Sequence, residues 1–303
     1  MLTLKQLRYF DALARIGHFG KAADACAVSQ PALSMQIADL ERELGTLLIE
    51  RGGKRLMLTD AGRQVATRAA QILAAVRELA EGARRASDVA AGPLRLGVIP
   101  SIAPYLLPPL LPPIRERYPD LDLHLRETQT QHLVRELGEG QLDLLLLALP
   151  VEDPALETLH LFDDRFLLAT SAARAITSHV RATPEMLERD RLLLLEEGHC
   201  MREQALSVCN MQRLGNLDTS GASSLSTIVQ MVANGHGVTL LPEMSLDVES
   251  RQGAISVIPF AEPQPVRAIG LAWRRSSPRK AHFAELGEMI KDVAGRRETT
   301  VPA

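Results

Sequence analysis

Residues 29–58 read SQPALSMQIADLERELGTLLIERGGKRLML, and this stretch decides the fold of the N-terminal region. Ser29 is a favoured helix-capping residue, and Pro31 fits the first helical turn, where a missing N–H does no harm. Gly45 is the residue type that most often follows the end of a helix. We therefore predict a helix from about residue 30 to residue 44. Its buried face is predicted from 4-3-4 spacing to comprise Leu33, Ile37, Leu40 and Leu44.

Short elements flank this helix on both sides. Helical patterns precede it near residues 4–12 and 21–28, and two short apolar runs surround the Gly-Gly pair at 52–53 that follows it. A helix, a turn, a second helix and then a hairpin with a basic tip form a winged helix-turn-helix, which we place at residues 1–60.

The capped helix offers polar side chains to DNA. Gln30 and Ser34 lie one turn apart near its N-terminus, where a helix in the major groove of double-stranded DNA presents side chains to base edges. Basic residues on the hairpin can reach phosphates, which fix register without reading sequence. The predicted DNA-binding residues are Ser29, Gln30, Pro31, Ser34 and Met35 on the helix, with Arg51, Lys54 and Arg55 on the hairpin. The alternative is a three-helix protein-binding module.

Residues 61–88 are predicted to form one long linker helix, because they contain no proline and carry apolar residues at heptad spacing. This seam comprises Val65, Ala69, Ile72, Val76, Leu79 and Ala83. Pairing with a second copy of the helix would bury the seam and give a homodimer whose two recognition helices meet two half-sites. The alternative is a helix that packs on its own chain.

Charge divides the chain at the end of this helix. Up to Ser87 there are 13 Lys and Arg against 9 Asp and Glu, a balance of +4, whereas the remainder has 21 against 28, a balance of −7. A basic head on an acidic body favours a polyanion as the partner of the head.

Strands and helices alternate after residues 90–93, which predicts an α/β body with crossover helices. Leu142–Leu149 is a nearly continuous apolar run, as expected of a strand buried on both faces of a parallel sheet. A body of this length suggests two lobes. We place lobe I at residues 89–164 and 268–303 and lobe II at residues 165–267, and small ligands commonly bind between such lobes.

No targeting or membrane segment is predicted. Charged residues at positions 5, 8, 11 and 15 interrupt the stretch where a signal peptide would need a continuous apolar run. The apolar region 94–114 is interrupted by an arginine and several prolines, so it is not a membrane span. Three cysteines without a leader favour a reducing compartment, and we predict a cytoplasmic protein without structural disulfides.

Several stretches carry a family resemblance: KAAD (21–24), SQPALSMQI (29–37) and LERELGTLL (40–48) in the head, and NGHGVTLLP (234–242) in the body. They resemble the LysR-type transcriptional regulators, and the resemblance covers the whole chain. It implies a body like the two-lobed periplasmic-binding-protein fold, with promoter DNA and RNA polymerase as partners. It also implies a homotetramer built as a dimer of dimers. We predict no cofactor, no metal and no enzymatic activity.

The segment LEEGHCMREQA (195–205), followed by Cys209, is similar to the redox loop of the peroxide-sensing members of that family. Similarity to their sensing pocket extends to residues 97–101, 104–108, 127–130 and 267–271. Ser101 departs from the family pattern, in which threonine is usual, although the hydroxyl remains. By this resemblance, hydrogen peroxide is the signal, and its pocket comprises Ser101, Thr130, His199, Cys200 and Arg202.

The same resemblance makes Cys200 the peroxidatic thiol and Cys209 the thiol that converts its sulfenic acid to a disulfide. His199, Arg202 and a predicted helix N-terminus at Cys200 all favour the thiolate. A separation of nine residues is roughly 13 Å on one helix, whereas a disulfide needs Cα atoms about 4.4–6.8 Å apart. Oxidation is therefore expected to unwind residues 201–208 and to change how the oligomer holds DNA.

Other interpretations remain open. The cysteines could be small core residues, and a zinc site at His199, Cys200 and Cys209 lacks both a CxxC pair and a fourth ligand. A LysR-type regulator that answers a small anionic metabolite between the lobes would share the fold. A thiol peroxidase would have no use for a DNA-binding head, and a periplasmic solute-binding protein would need a leader. No redox role is assigned to Cys26.

Overall fold

The computed structural model describes residues 1–50, 56–84, 92–174, 181–183, 186–187, 190–208, 217–251 and 253–298. The chain forms two compact units, of which the first contains the head and the helix after it, and the second contains most of the chain from Gly92 onward. None of the described helices is long and apolar enough to cross a membrane.

Three short helices and one long helix make up the head unit: α1 (Leu4–Ile16), α2 (Phe19–Ala25), α3 (Gln30–Leu44) and α4 (Asp60–Arg84). Both predicted ends of α3 are confirmed. Ser29 Oγ accepts a hydrogen bond from Ala32 N at 3.4 Å, and Gly45 has φ 67°, the left-handed conformation that favours glycine. The predicted face at positions 33, 37 and 40 lies in the head core. The prediction for Leu44 is wrong, because this last helical residue lies outside that core and is 40% exposed.

A short antiparallel connection follows α3 and forms the base of the predicted hairpin. Ile49 pairs with Leu58, and Glu50 N donates to Met57 O at 2.9 Å. The tip lies outside the described residues, and so do its predicted phosphate contacts Arg51, Lys54 and Arg55.

The buried carboxylate of Glu41 joins this connection to α3. Its Oε1 accepts hydrogen bonds from Leu48 N at 2.8 Å and from Ile49 N at 3.2 Å. Sequence reasoning missed this contact, because a glutamate on a helix is usually solvated. The carboxylate satisfies two buried backbone donors that lie at the entry to the hairpin.

The residues of the predicted dimer seam differ in burial along α4. Val65 packs on the head core and Ala69 is buried, in the part of the unit where α4 contacts α1. The side chain of Ala83 lies outside the described residues. The exposed part of the seam comprises Ile72, Val76 and Leu79. Exposed apolar side chains at heptad spacing are suited to pairing with a second helix, and the dimer stays a prediction.

In chain order, the described elements of the second unit are β1 (Gly92–Val98), α5 (Ala103–Arg117), β2 (Leu121–Glu127), α6 (Thr130–Gly138), β3 (Leu144–Leu149), β4 (Leu156–Ser171), β5 (Leu192–Leu195), α7 (Cys200–Val208), β6 (Leu217–Ala222), α8 (Leu225–Ala233), β7 (Thr239–Pro242), a 3-10 turn (Glu243–Ser245), α9 (Leu246–Glu249), β8 (Ile255–Pro259), β9 (Val266–Arg274) and α10 (Lys280–Glu298).

The main sheet of this unit has the strand order β2-β1-β3-β9-β4-β7, with β8 paired to β4, and β5 and β6 form a separate parallel pair. The strand β1 is parallel to β2 and β3, but β9 is antiparallel to β3. The prediction of a parallel sheet is therefore correct on one side of β3 and wrong on the other. An apolar run reports burial on both faces of a strand, and that burial is set by the covering layers and not by the direction of the neighbouring strand.

Two strands, β4 and β9, connect lobe I and lobe II. The first part of β4, Leu156–Arg165, pairs with β9, and the remainder, from Phe166, pairs with β7 and β8. One apolar core surrounds the first part, and a second core surrounds the remainder. The crossing lies next to the lobe boundary that the sequence predicts, and the full domain division stays a prediction.

Helix α5 contains four internal prolines, at positions 108, 109, 112 and 113. Three of its buried residues, Leu106, Leu110 and Ile114, repeat every four residues and pack into the lobe I core. Pro108 and Pro112 are exposed on another face. The carbonyls that lose a partner to Pro108 and Pro112 lie four residues earlier on this exposed side of the helix, where water can solvate them. Packing of the apolar face into the core therefore stabilises a helix that the proline content alone would argue against.

We expect Glu41→Ala to destabilise the head by about 2–4 kcal/mol, because it leaves two buried N–H groups without an acceptor. Hydrogen exchange measured by mass spectrometry on the full chain reports the local unfolding free energy of the head. The matched control is Glu50→Ala, which removes an exposed glutamate nearby and should change stability by less than about 0.5 kcal/mol. Equal effects of the two substitutions would contradict the role assigned to Glu41.

Candidate functional site

Helix α7 begins at Cys200, which confirms the predicted helix N-terminus. Gly198, two residues earlier, has φ 91°, and a Cβ built there would lie 2.5 Å from Gln129 Oε1. The turn before the helix therefore favours glycine for its backbone conformation and for the space that Gln129 occupies. Cys200 is half-buried against the lobe I core, whereas Met201 and Ala205 are buried in the lobe II core. The thiol thus lies where the two lobes meet.

Four of the five predicted peroxide-pocket residues line one small pocket beside this thiol: Ser101, Thr130, His199 and Cys200. They come from three turns, which follow β1, β2 and β5. The pocket has about 190 Å³ free of protein atoms, including its open mouth. Ile99, Pro100, Gln129 and Met201 complete the lining. The volume enclosed within it is only about 10 Å³, roughly what one water molecule needs, so the pocket suits only a very small molecule.

Arg202 is the predicted pocket residue that does not line this pocket. Its Nη1 donates to Leu195 O at 3.2 Å. Arg202 lies two residues after Cys200 on the same helix, so it projects about 200° around the helix axis from the thiol. The family resemblance predicts Arg202 in the pocket, whereas in this structure helical phase turns its guanidinium toward Leu195 O.

The two hydroxyls in the pocket differ in their hydrogen bonds. Ser101 Oγ accepts from Arg267 Nη1 at 2.8 Å, and both side chains are buried. Thr130 Oγ1 is buried, and within the described part of the chain it has no hydrogen-bond partner. An unpaired buried hydroxyl destabilises the folded protein. A hydrogen bond from Thr130 Oγ1 to a molecule that enters the pocket would offset that cost. His199 is buried, and its Nε2 lies 3.7 Å from Glu196 Oε1.

A larger cavity, with about 520 Å³ free of protein atoms, lies beside the small pocket and shares Pro100 and Ser101 with it. Tyr105 lines this cavity, and its hydroxyl donates to Glu249 Oε1 at 2.7 Å. Ser226 Oγ donates to the same oxygen at 2.7 Å. Burial, and then the hydrogen bond to Glu249, raises the pKa of Tyr105 above its ordinary value, so the phenol stays protonated. Sequence reasoning missed this link between α5 and lobe II.

The described residues contain no cluster of three or more His, Cys, Asp or Glu side chains that could hold a metal ion. Cys209, the third residue of the zinc alternative, lies outside the described residues. Cys200 and Cys26 are both free thiols.

Two family models match the chain. One, "Bacterial regulatory helix-turn-helix protein, lysR family", matches residues 4–63, and the other, "LysR substrate binding domain", matches residues 87–295. The chain belongs to the LysR family. A "Probable hydrogen peroxide-inducible genes activator" of Streptomyces viridosporus is 44% identical over 293 residues, which cover 96% of this chain and 94% of the relative. The family match confirms the predicted head and the two-lobed regulatory body.

Solved structures of OxyR proteins are similar over nearly the whole length. A full-length OxyR from Pseudomonas aeruginosa, with one cysteine replaced by aspartate, aligns with a TM-score of 0.80 at 37% identity and covers 96% of this chain and 95% of its own. A cysteine-to-serine variant of Corynebacterium glutamicum OxyR, with bound hydrogen peroxide, aligns with a TM-score of 0.67 at 34% identity and covers 99% and 98%. This LysR chain is therefore a close homologue of OxyR and of hydrogen peroxide-inducible activators.

We expect Thr130→Val to raise the free energy of unfolding by about 1 kcal/mol, because valine keeps the shape and removes an unpaired buried hydroxyl. The matched control is Thr239→Val, where Thr239 Oγ1 is buried and donates to Leu193 O at 2.8 Å. That control should lose about 1–2 kcal/mol. Denaturant unfolding of the full chain compares the two. Loss of stability in both variants would contradict the unpaired state of Thr130.

Proposed function

We propose that this chain is a hydrogen-peroxide-sensing transcriptional activator whose signal is a disulfide between Cys200 and Cys209. One observation carries the proposal: Cys200 shares a small pocket with Ser101, His199 and the unpaired hydroxyl of Thr130. Hydrogen peroxide is small, has two oxygens that both donate and accept hydrogen bonds, and reacts with thiolates. The homology to hydrogen peroxide-inducible activators supports the same ligand.

The first step is oxidation of one thiol. The Cys200 sulfur, as thiolate, attacks one peroxide oxygen, and the O–O bond breaks with its electron pair moving to the other oxygen. That oxygen leaves as hydroxide and takes up the proton that the thiol released, which gives water. Sulfur is oxidised to a sulfenic acid, and peroxide is reduced. Donors in the pocket stabilise the charge that develops on the leaving oxygen.

The second step joins two sulfurs. The Cys209 thiolate attacks the sulfenic sulfur, an S–S bond forms, and the S–O bond breaks. The departing hydroxide takes up the proton that the Cys209 thiol released and leaves as a second water. Val208, the residue before Cys209, ends a continuous helix that begins at Cys200, and eight helical steps span about 12 Å. Disulfide-linked Cα atoms lie only about 4.4–6.8 Å apart. Forming the bond therefore requires α7 to unwind, which takes Met201 and Ala205 out of the lobe II core.

The DNA-binding head would convert the oxidation signal into a change in promoter binding. The helix residues predicted to contact DNA are all exposed: Ser29, Gln30, Pro31, Ser34 and Met35. We propose that they contact base edges in promoter DNA, that Ile72, Val76 and Leu79 pair with a second copy, and that two dimers form a tetramer. Unwinding of α7 would alter the tetramer and its contact with RNA polymerase in the cytoplasm.

The second candidate function is a regulator that binds a small anionic metabolite between the lobes, and the larger cavity favours it. Glu127 also lines that cavity, and its carboxylate would repel an anion, which argues against this candidate. The two functions differ in one variant: Cys200→Ser abolishes a peroxide response and leaves a metabolite response intact.

We expect one equivalent of hydrogen peroxide to link Cys200 to Cys209 within one chain, because Cys200 lines the small pocket and Cys209 follows it by nine residues. Non-reducing peptide mass mapping identifies the linked peptides. The matched control Cys26→Ser should give the same link, whereas Cys200→Ser should give none. Unmodified thiols at both positions, or a link that includes Cys26, would contradict the proposal.

We expect Gln30→Ala to weaken binding to an operator selected by the wild-type protein by about 1–3 kcal/mol, because a base-edge contact is lost. Gln71→Ala, at an exposed glutamine of α4, is the matched control and should bind like the wild type. Fluorescence anisotropy with specific and random duplexes makes the comparison. An equal loss on random DNA would mean that Gln30 does not read bases.

A further inference from the structure

A buried ion pair lies where β4 and β9 meet at the lobe crossing. The Arg267 side chain is fully buried and that of Asp164 is 3% exposed. Asp164 Oδ2 accepts from Arg267 Nε at 2.9 Å and lies 2.8 Å from Nη2, while Asp164 Oδ1 accepts from Met244 N at 3.0 Å. Both carboxylate oxygens are therefore engaged, and the guanidinium has a fixed partner.

The rest of the guanidinium bonds Ser101. Arg267 Nη1 donates to Ser101 Oγ at 2.8 Å, and Nη2 donates to Ser101 O at 3.1 Å. One planar group thus holds both the side chain and the backbone of a residue that lines the small pocket. The Phe166 ring, with its centroid 5.9 Å from the guanidinium carbon, packs beside the same group.

This contact fixes which way the Ser101 hydroxyl acts. A guanidinium only donates, so Ser101 Oγ must use a lone pair toward Arg267. The hydroxyl hydrogen then points away from Arg267 and is available to a molecule in the pocket. Ser101 is thereby set as a donor, which is the role that a departing peroxide oxygen needs because negative charge develops on it.

We propose that Asp164 is a positioning residue for the peroxide reaction, acting through Arg267 to hold the Ser101 hydroxyl as a donor toward the leaving oxygen. The inference rests on the proposed function, in which the Cys200 thiolate attacks peroxide. Asp164 does not line the pocket. Without the Asp164 carboxylate, the buried Arg267 guanidinium lacks a counter-charge. The side chain is then no longer held in the position from which it bonds Ser101.

The test uses the full chain with Cys209→Ser, so that the sulfenic acid accumulates. The measured quantity is the second-order rate of sulfenic acid formation at Cys200. We expect Ser101→Ala to slow it about 100-fold, as for loss of one oxyanion donor, and Asp164→Asn to slow it about tenfold, as for loss of a supporting partner. The double variant should be no slower than Ser101→Ala alone, because Asp164 acts only through that hydroxyl.

Two controls separate positioning from a general structural effect. Alkylation of Cys200 by iodoacetamide needs no donor for a leaving oxygen, so it should proceed at the same rate in every variant. Asp143→Asn removes another buried carboxylate, one that binds Arg95 in lobe I, and should leave the peroxide rate within about twofold of the parent. If Asp164→Asn does not fold, Arg267→Lys tests the same chain of contacts, because an ammonium cannot reproduce the guanidinium fork.

The outcomes are distinct. Non-additive slowing with unchanged alkylation supports the proposal. An unchanged peroxide rate in Asp164→Asn, slowing that multiplies with that of Ser101→Ala, or an equal loss of alkylation overturns it. Absence of any sulfenic acid in the parent chain overturns the proposed function itself.

Discussion

The two lobes of the regulatory body share their backbone, and the pocket depends on that constraint. The strand β4 pairs with β9 in lobe I and then continues into lobe II, so one unbroken strand joins the two lobes and fixes where their facing ends meet. Ser101 and Thr130 follow strands of lobe I, whereas His199 and Cys200 follow a strand of lobe II. Their meeting in one pocket is a consequence of the crossing, at which Asp164 and Arg267 are buried together.

Local signals in the sequence were sufficient for elements whose determinants are close together. The cap at Ser29, the stop at Gly45 and the period of the apolar face predicted α3, because each acts within a few residues. The contiguous Gly198–Cys200 motif likewise predicted the start of α7. The first half of β4 was not predicted, because residues 156–165 follow no strict period of two and their strand pairs with the distant β9.

Contacts between distant residues were beyond sequence reasoning. Asp164 and Arg267 are 103 residues apart, and Tyr105 and Glu249 are 144 apart. Aspartate, glutamate and arginine side chains are normally placed at the surface, so these contacts become visible only when the fold brings the partners together. Arg202 was predicted in the pocket by the family resemblance, and it does not line the described pocket because two helical residues turn its side chain about 200° from Cys200. Cys209 lies outside the described residues, so the disulfide stays a prediction.

The burial of Met201 and Ala205 beside Cys200 also affects how fast the protein can return to its starting state. Any rearrangement that carries Cys200 away takes these apolar side chains out of a packed core and into water. Under the proposed disulfide mechanism, recovery needs two events in succession: a reductant must cleave the Cys200–Cys209 bond, and the core must reassemble. The slower of these two events would determine how long the regulated genes stay expressed after the oxidant has gone. The duration of the response would then depend on the rate of recovery and not on the affinity for peroxide.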